Sequence, residues 1–291
     1  MAIMPLFFSS NIIFGRAAVE LVEPFTLAFL RWSLTSLILL PLVWNDVRRQ
    51  WETVKQLKFP LLLMGFLGMW ICGALVYLAL KYTSATNGTL IYTSSPVMII
   101  LIELFVRGRR VIWRERIGIT MAFLGVLVIV AKGLMSNLTG LQFNAGDLIF
   151  VVTAFSWALY SVGLKSERFQ AFSTATLFFL IAMCGSILLF PFALVETLYF
   201  QRFPSSLDAW INIAGIVAIA SLLAFSLFQY GVKILGPSMA GIFLYLLPIY
   251  GVSLAILFLG ETLATYHLWG VLLVLGGVVL ATVPSKVFRR S

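Results

Sequence analysis

Charge is scarce in this sequence. Asp, Glu, Lys and Arg make up 11% of its 291 residues, where a soluble domain carries about 25%. There is one histidine, His267, and there are two cysteines, Cys72 and Cys184. Two cysteines without metal-ligand spacing build neither a disulfide framework nor a zinc site; both fall in apolar runs and read as small buried residues. The 11 acidic residues are not clustered, which argues against Asp-rich metal motifs. Metalloprotease, nucleophile-elbow and haem-ligand patterns are missing as well. No catalytic site, resident cofactor or metal is therefore expected, and an intramembrane enzyme ranks behind the readings below.

What is there is oil. Apolar residues make up 61% of the chain, against about 45–50% in a soluble domain, so its solvent must be lipid. A spanning helix needs about 20 apolar residues. Ten runs qualify: 3–20, 24–45, 60–80, 86–106, 115–133, 146–165, 173–195, 208–232, 238–259 and 265–283. Barrel strands would alternate apolar and polar residues, and these runs do not. The first run has no basic residue ahead of it, so it reads as a helix rather than a secretory signal. The expectation is an all-α membrane protein with ten spans.

The net charge of +9 suggests nucleic acid only until the charges are placed. Arg48, Arg49, Lys55, Lys58, Arg107, Arg109, Arg110, Arg114 and Arg116 fall in the joins between spans 2–3 and 4–5. Lys and Arg collect in cytoplasmic loops, so both termini are expected to be cytoplasmic. The stretch "RGRRVIWRER" reads as a loop touching anionic lipid. Expected partners are membrane lipid and a small-molecule substrate, not nucleic acid, with the chain a monomer in the inner membrane.

One apolar stretch carries a fault. "GTLIYTSSPVMIILIELF", Gly88 to Phe105, holds Tyr92, Thr93, Ser94, Ser95 and Pro96, and proline inside a helix costs about 3 kcal/mol. A shift of 152 residues places Pro96 on Pro248, Lys81 on Lys233, Gly118 on Gly270 and Gly125 on Gly277. The fault thus has a partner in the ninth run. Residues 1–135 and 136–291 read as two five-helix repeats, and an odd number of spans inverts the second. Inverted repeats mark secondary transporters, with the site where the halves meet. Pro96 and Pro248 are the candidate hinges of alternating access.

The chain here resembles the drug/metabolite transporter superfamily, EamA type. The likeness rests on the matched prolines and on "PIYGVSLAILFLGETLATYHLWGVLLVLGGVVL", Pro248 to Leu280, with its Pro, Leu-Gly-Glu and spaced glycines. The first half departs from the pattern: Arg109 stands where the family often has glutamate, so that glutamate is present only as Glu261. The resemblance implies ten helices around a central cavity lined by spans 1, 3, 4, 6, 8 and 9, with spans 5 and 10 peripheral. Within the family the aromatic content looks most like the bacterial exporters of aromatic amino acids.

Most tryptophans fall near run ends, where interfacial rings belong, but Trp70 and Trp157 fall mid-run. A buried indole needs a partner for its N–H. Helix packing is the plain reading; a flat wall for a ring-bearing ligand is the functional one. Asn11 and Phe14 in span 1, Tyr77 in span 3, Tyr92 and Thr93 in span 4, Ser156 and Tyr160 in span 6, Gln229 in span 8 and Tyr245 in span 9 complete a candidate substrate set. Apolar walls with a few neutral polar groups suit a small-molecule site.

Lys81, Lys165 and Lys233 map to span ends, where they can snorkel. Arg31 lies deeper, an expensive place, and is expected to have a structural role, paired with Glu20 or Glu23. With no cation in the chamber, phosphate-bearing cargo is disfavoured. The cargo expected is neutral or zwitterionic and amphipathic, aromatic or hydrophobic amino acids first, exported by alternating access. Cationic aromatic drugs such as methyl viologen, held by ring faces, and nucleosides are the alternatives.

Overall fold

A computed structural model describes residues 1–83, 88, 91–92, 94–108, 111–130, 144–200, 203–251, 253 and 265–282. Thr93, Arg109 and Glu261, singled out above, lie outside them. The described residues contain helices and no strand. In chain order the helices are α1 (Met4–Val19), α2 (Pro24–Arg49), α3 (Trp51–Gln56), α4 (Lys58–Ala79), α5 (Ser95–Arg107), α6 (Trp113–Val130), α7 (Ala145–Leu164), α8 (Thr174–Phe200), α9 (Leu207–Leu235), α10 (Pro237–Gly251) and α11 (Thr265–Thr282). Five of them, α2, α4, α7, α8 and α9, are long and apolar enough to cross a membrane. Helix α1 has 16 residues and α5 has 13, shorter than the runs that contain them.

Local chemistry sets the ends. Asn144 and Asp147 form a reciprocal capping box at the start of α7, and the Ser206 hydroxyl accepts from the Ala209 N–H at the start of α9; each satisfies donors the first turn leaves open. Pro24 and Pro237 open α2 and α10, where a missing N–H costs nothing. Pro96 does the same. It sits in the first turn of α5; Ile91 and Tyr92 ahead of it are helical as well, and Thr93, between them and α5, lies outside the described residues. Pro248 does interrupt a ladder. The chain tightens to a 3-10 turn over Phe243–Leu246 just before it, as expected where an i→i−4 bond is missing.

Helices α4 and α9 each contain a π-helical stretch, Phe66–Leu75 and Ile216–Leu223. Each begins directly after a glycine, Gly65 and Gly215. Wide turns of this kind recur at functional positions.

Two helix pairs show how the chain closes on itself. Helices α2 and α8 run antiparallel. At one end the Thr26 hydroxyl donates to Glu196 at 2.9 Å; at the other the Thr176 hydroxyl reaches Asp46 at 3.5 Å. Helices α6 and α11 meet through glycines. A Cβ on Gly118 would fall 2.5 Å from the Gly277 carbonyl oxygen, and one on Gly125 would fall 2.7 Å from that of Gly270. Without side chains the backbones touch, the means by which helices associate where lipid removes the hydrophobic drive. The main core lies between α1, α2, α4, α7, α8 and α9, and a smaller one joins α5, α6, α10 and α11. Large apolar residues such as Leu42, Phe105 and Leu198 face outward, as suits a lipid-facing rim.

Candidate functional site

Trp157 stands at the centre of the main core, 2% exposed. Its neighbours arrive from α1, α7 and α9 and from the stretch ahead of α5. Phe228 lies 4.8 Å away between ring centres, Tyr160 5.4 Å, Phe225 5.5 Å, Phe8 5.8 Å and Tyr92 6.4 Å. Tyr160 follows Trp157 by three positions, which puts both rings on one face of α7. The Tyr160 ring fits because Gly68, in the π stretch of α4, has no side chain; a Cβ there would meet the ring at 2.6 Å.

Polar groups edge the rings. Gln229 donates from Nε2 to the Tyr160 hydroxyl at 2.9 Å. Its own carbonyl oxygen and the Trp157 N–H find no hydrogen-bond partner among the described residues. Buried polar atoms are usually paired, and an orphan calls for an explanation. Gln229 also lines a cleft of about 320 Å3, together with Lys165, Phe172, Thr174 and Lys233. Lys165 donates to the Lys233 carbonyl and Lys233 to that of Phe172.

Further along α9 the sequence reading is corrected. Arg31 does not pair with Glu20 or Glu23. It is buried, 3% exposed, and its guanidinium binds the Ser221 hydroxyl at 2.7 Å, the Tyr77 hydroxyl at 3.0 Å, the Ala220 carbonyl at 3.2 Å and Asn11 Oδ1 at 3.4 Å. Glu23 takes Lys81 instead. The guanidinium also lies 4.4 Å from the Trp32 ring centre and 5.5 Å from that of Phe225. The chamber is therefore not free of charge. The reason is angular: Arg31 occupies the buried face of α2, turned toward α9, and cannot snorkel to the helix end.

The expected residues fall into groups. Trp157, Tyr160, Tyr92 and Gln229 come together, and Asn11 and Tyr77 join Arg31. Four lie elsewhere. Trp70 stacks on Phe66 at 5.3 Å and sits beside Phe25 and Phe192, a separate set that includes exposed rings. Phe14 packs over Gly215. The Ser156 hydroxyl bonds the Leu67 carbonyl. Tyr245 belongs to the smaller core, its hydroxyl unpartnered among the described residues. Sequence reading missed Phe8, Phe225, Phe228 and Ser221. The 221, 225, 228, 229 spacing is a helical face and was the available signal.

The ring cluster around Trp157, the cleft lined by Gln229 and the buried Arg31 guanidinium lie between α1, α2, α4, α7 and α9. A transporter of Bacillus subtilis described as "Uncharacterized transporter YetK" is 25% identical, covering 95% of this chain and 84% of that protein. An "Uncharacterized transporter" of Archaeoglobus fulgidus is 28% identical over 97% and 96% of the two chains. A solved crystal structure superposes with a TM-score of 0.75 at 20% identity, covering 99% of this chain and 96% of its own, a likeness of fold. The sequence model of the EamA-like transporter family matches residues 1–131 and again 144–283, and the chain belongs to that family of membrane transporters.

Proposed function

We propose that the protein is a secondary carrier whose cargo is a small amphipathic metabolite with a ring or bulky apolar body, aromatic and hydrophobic amino acids first. It moves that cargo outward across the inner membrane, both termini being cytoplasmic. The observation that carries this reading is Trp157. It is a buried indole walled by five rings, its N–H unpartnered among the described residues, one side chain away from Gln229, which lines an open cleft. Stacked rings provide area for a flat ligand, and the unpaired Gln229 carbonyl is an acceptor in waiting.

Alternating access between halves 1–135 and 136–291 has support of its own. The family model matches twice, once in each half. The α2–α8 and α6–α11 contacts each map onto themselves when the halves are exchanged: Thr26–Glu196 becomes Thr176–Asp46, and Gly118–Gly277 becomes Gly270–Gly125. The glycine-led π stretches in α4 and α9 correspond too. An inverted repeat of five spans each, ten in all, has this self-matching property.

The test is transport by the purified protein in proteoliposomes loaded with phenylalanine. Saturable, counter-stimulated movement of labelled phenylalanine is expected. Movement of only methyl viologen or a nucleoside would overturn the cargo assignment, and non-saturable leak of all solutes would overturn the carrier.

A further inference from the structure

We propose that Arg31 is the group that binds the cargo's carboxylate, so that a carboxylate rather than an ammonium is what the transporter requires. The inference rests on the carrier reading above and narrows it.

Arg31 is a buried cation with no carboxylate within ion-pair distance among the described residues. A buried charge is costly unless paired, and in a membrane helix an ionisable group off the lipid face is by default functional. Its present partners are neutral, a hydroxyl on each of α4 and α9, an amide on α1 and one backbone carbonyl. A guanidinium has five N–H donors, and the four contacts leave one without an acceptor among the described residues. The Asn11 contact is the longest, at 3.4 Å, and Asn11 Oδ1 already accepts from Tyr77 at 3.0 Å. A carboxylate can take that place with two parallel bonds, the strong geometry for arginine, and Tyr77 keeps Asn11 satisfied.

Placement agrees. Phe225 touches both Arg31 and Trp157, so the guanidinium and the ring wall are neighbours. Ser221, which Arg31 binds, precedes Gln229 by eight residues on α9, about 12 Å of helix. A cargo with its ring among Trp157, Phe225 and Phe228 has its head group between Gln229 and Arg31. The cleft lined by Gln229 has one sign. Among the described residues Lys165 and Lys233 line it with only backbone carbonyls as acceptors, and no Asp or Glu does. An ammonium finds no counter-charge there, whereas a carboxylate meets cations both at the cleft and at Arg31 in the core.

The experiment is competition against labelled phenylalanine in proteoliposomes. One competitor is 3-phenylpropionate, which keeps the carboxylate and lacks the amine. The other is phenylalaninol, which keeps the amine and lacks the carboxylate. On wild type, 3-phenylpropionate is expected to compete at least about tenfold better, the worth of one charge-assisted contact. In R31Q that preference falls to near parity, and R31K restores part of it. Equal competition on wild type overturns the inference and leaves the carrier standing, as does an R31Q variant that weakens both competitors equally, since that marks a structural role. If R31Q does not fold, the wild-type comparison decides alone. If no ring compound of any charge moves or competes, both readings fall.

Discussion

The amide of Gln229 donates to the hydroxyl of Tyr160 at 2.9 Å while its carbonyl oxygen, also buried, accepts nothing among the described residues. The pair joins α7 to α9, and changes on its two sides have different consequences. Tyr160→Phe removes the acceptor and leaves both polar groups of a buried amide unpaired, at a cost of about 1–3 kcal/mol. Gln229→Leu strands the buried Tyr160 hydroxyl but removes the orphan carbonyl with the donor, and is expected to cost less in thermal stability in detergent. Both are expected to depress transport. A Gln229→Leu protein that transports normally would remove Gln229 from the path.

Trp157 is too well packed for a simple truncation to be informative. Trp157→Ala empties a site bounded by five rings, and removing a buried tryptophan of this kind costs about 3–5 kcal/mol. Trp157→Phe keeps a six-membered ring and removes the pyrrole part of the indole with its N–H. The phenylalanine variant is expected to unfold within a few degrees of wild type, with weaker apparent affinity for indole and phenyl cargo in counterflow. The alanine variant is expected to be strongly destabilised whatever its transport. Unchanged affinity in Trp157→Phe would make the indole a packing residue.

The apolar runs of the sequence placed the long helices, because a span is written in composition over about 20 residues. The matched glycines and the grouping of Trp157 with Tyr160 were equally legible, since both follow from spacing on one helix. Arg31 was not. Its distance from the start of α2 allowed a pair with Glu20 or Glu23, but which face of α2 meets α9 depends on packing between segments 190 residues apart. Glu23 was also already committed to Lys81, a contact across two helices that no local pattern shows. A proline at a helix start and one at a kink have the same neighbours in sequence, and only the ladder of hydrogen bonds tells them apart.

The α6–α11 crossing predicts a sharp contrast among three glycines. Alanine stabilises an exposed helix by about 1 kcal/mol over glycine. At Gly276, where an added Cβ meets only the Met121 methyl at 3.5 Å, Ala is expected to be neutral or stabilising. At Gly118 or Gly125 the same change drives a Cβ into the opposing backbone at 2.5 or 2.7 Å. Overpacking of that kind costs about 1–3 kcal/mol. Thermal unfolding of the three variants measures it, and equal melting temperatures would mean that the two helices do not touch at these glycines.

The two ends of the α2–α8 pair are alike in residue type and unlike in strength. Glu196 accepts from the Thr26 N–H at 2.7 Å, the Phe25 N–H at 3.3 Å and the Thr26 hydroxyl at 2.9 Å, so it caps α2 from another helix. Asp46 has one long contact to Thr176 and is shared with Arg49. Glu196→Ala is expected to cost about 1–2 kcal/mol, the range of a lost N-cap. Asp46→Ala is expected to cost less than half as much. Equal losses in chemical or thermal unfolding would show that the cap is not what holds this end.

Pro248 and Pro96 test the hinge against each other. Pro248 interrupts a helix. The 3-10 turn at Phe243–Leu246 precedes it, and the Leu247 carbonyl is held by the Ser9 hydroxyl of α1 at 3.0 Å. Pro248→Ala restores an N–H to the ladder and removes the ring that clashes with the preceding turn. The helix gains stiffness where alternating access requires it to bend, so the melting temperature should hold or rise while the transport rate falls at saturating cargo. Pro96 stands in the first turn of α5, where a missing N–H costs little. Pro96→Ala should therefore change the rate little. A Pro248→Ala carrier that turns over at the wild-type rate would show that α10 does not bend during the cycle. A Pro96→Ala carrier that stops would move the flexing element to α5 and the chain before it.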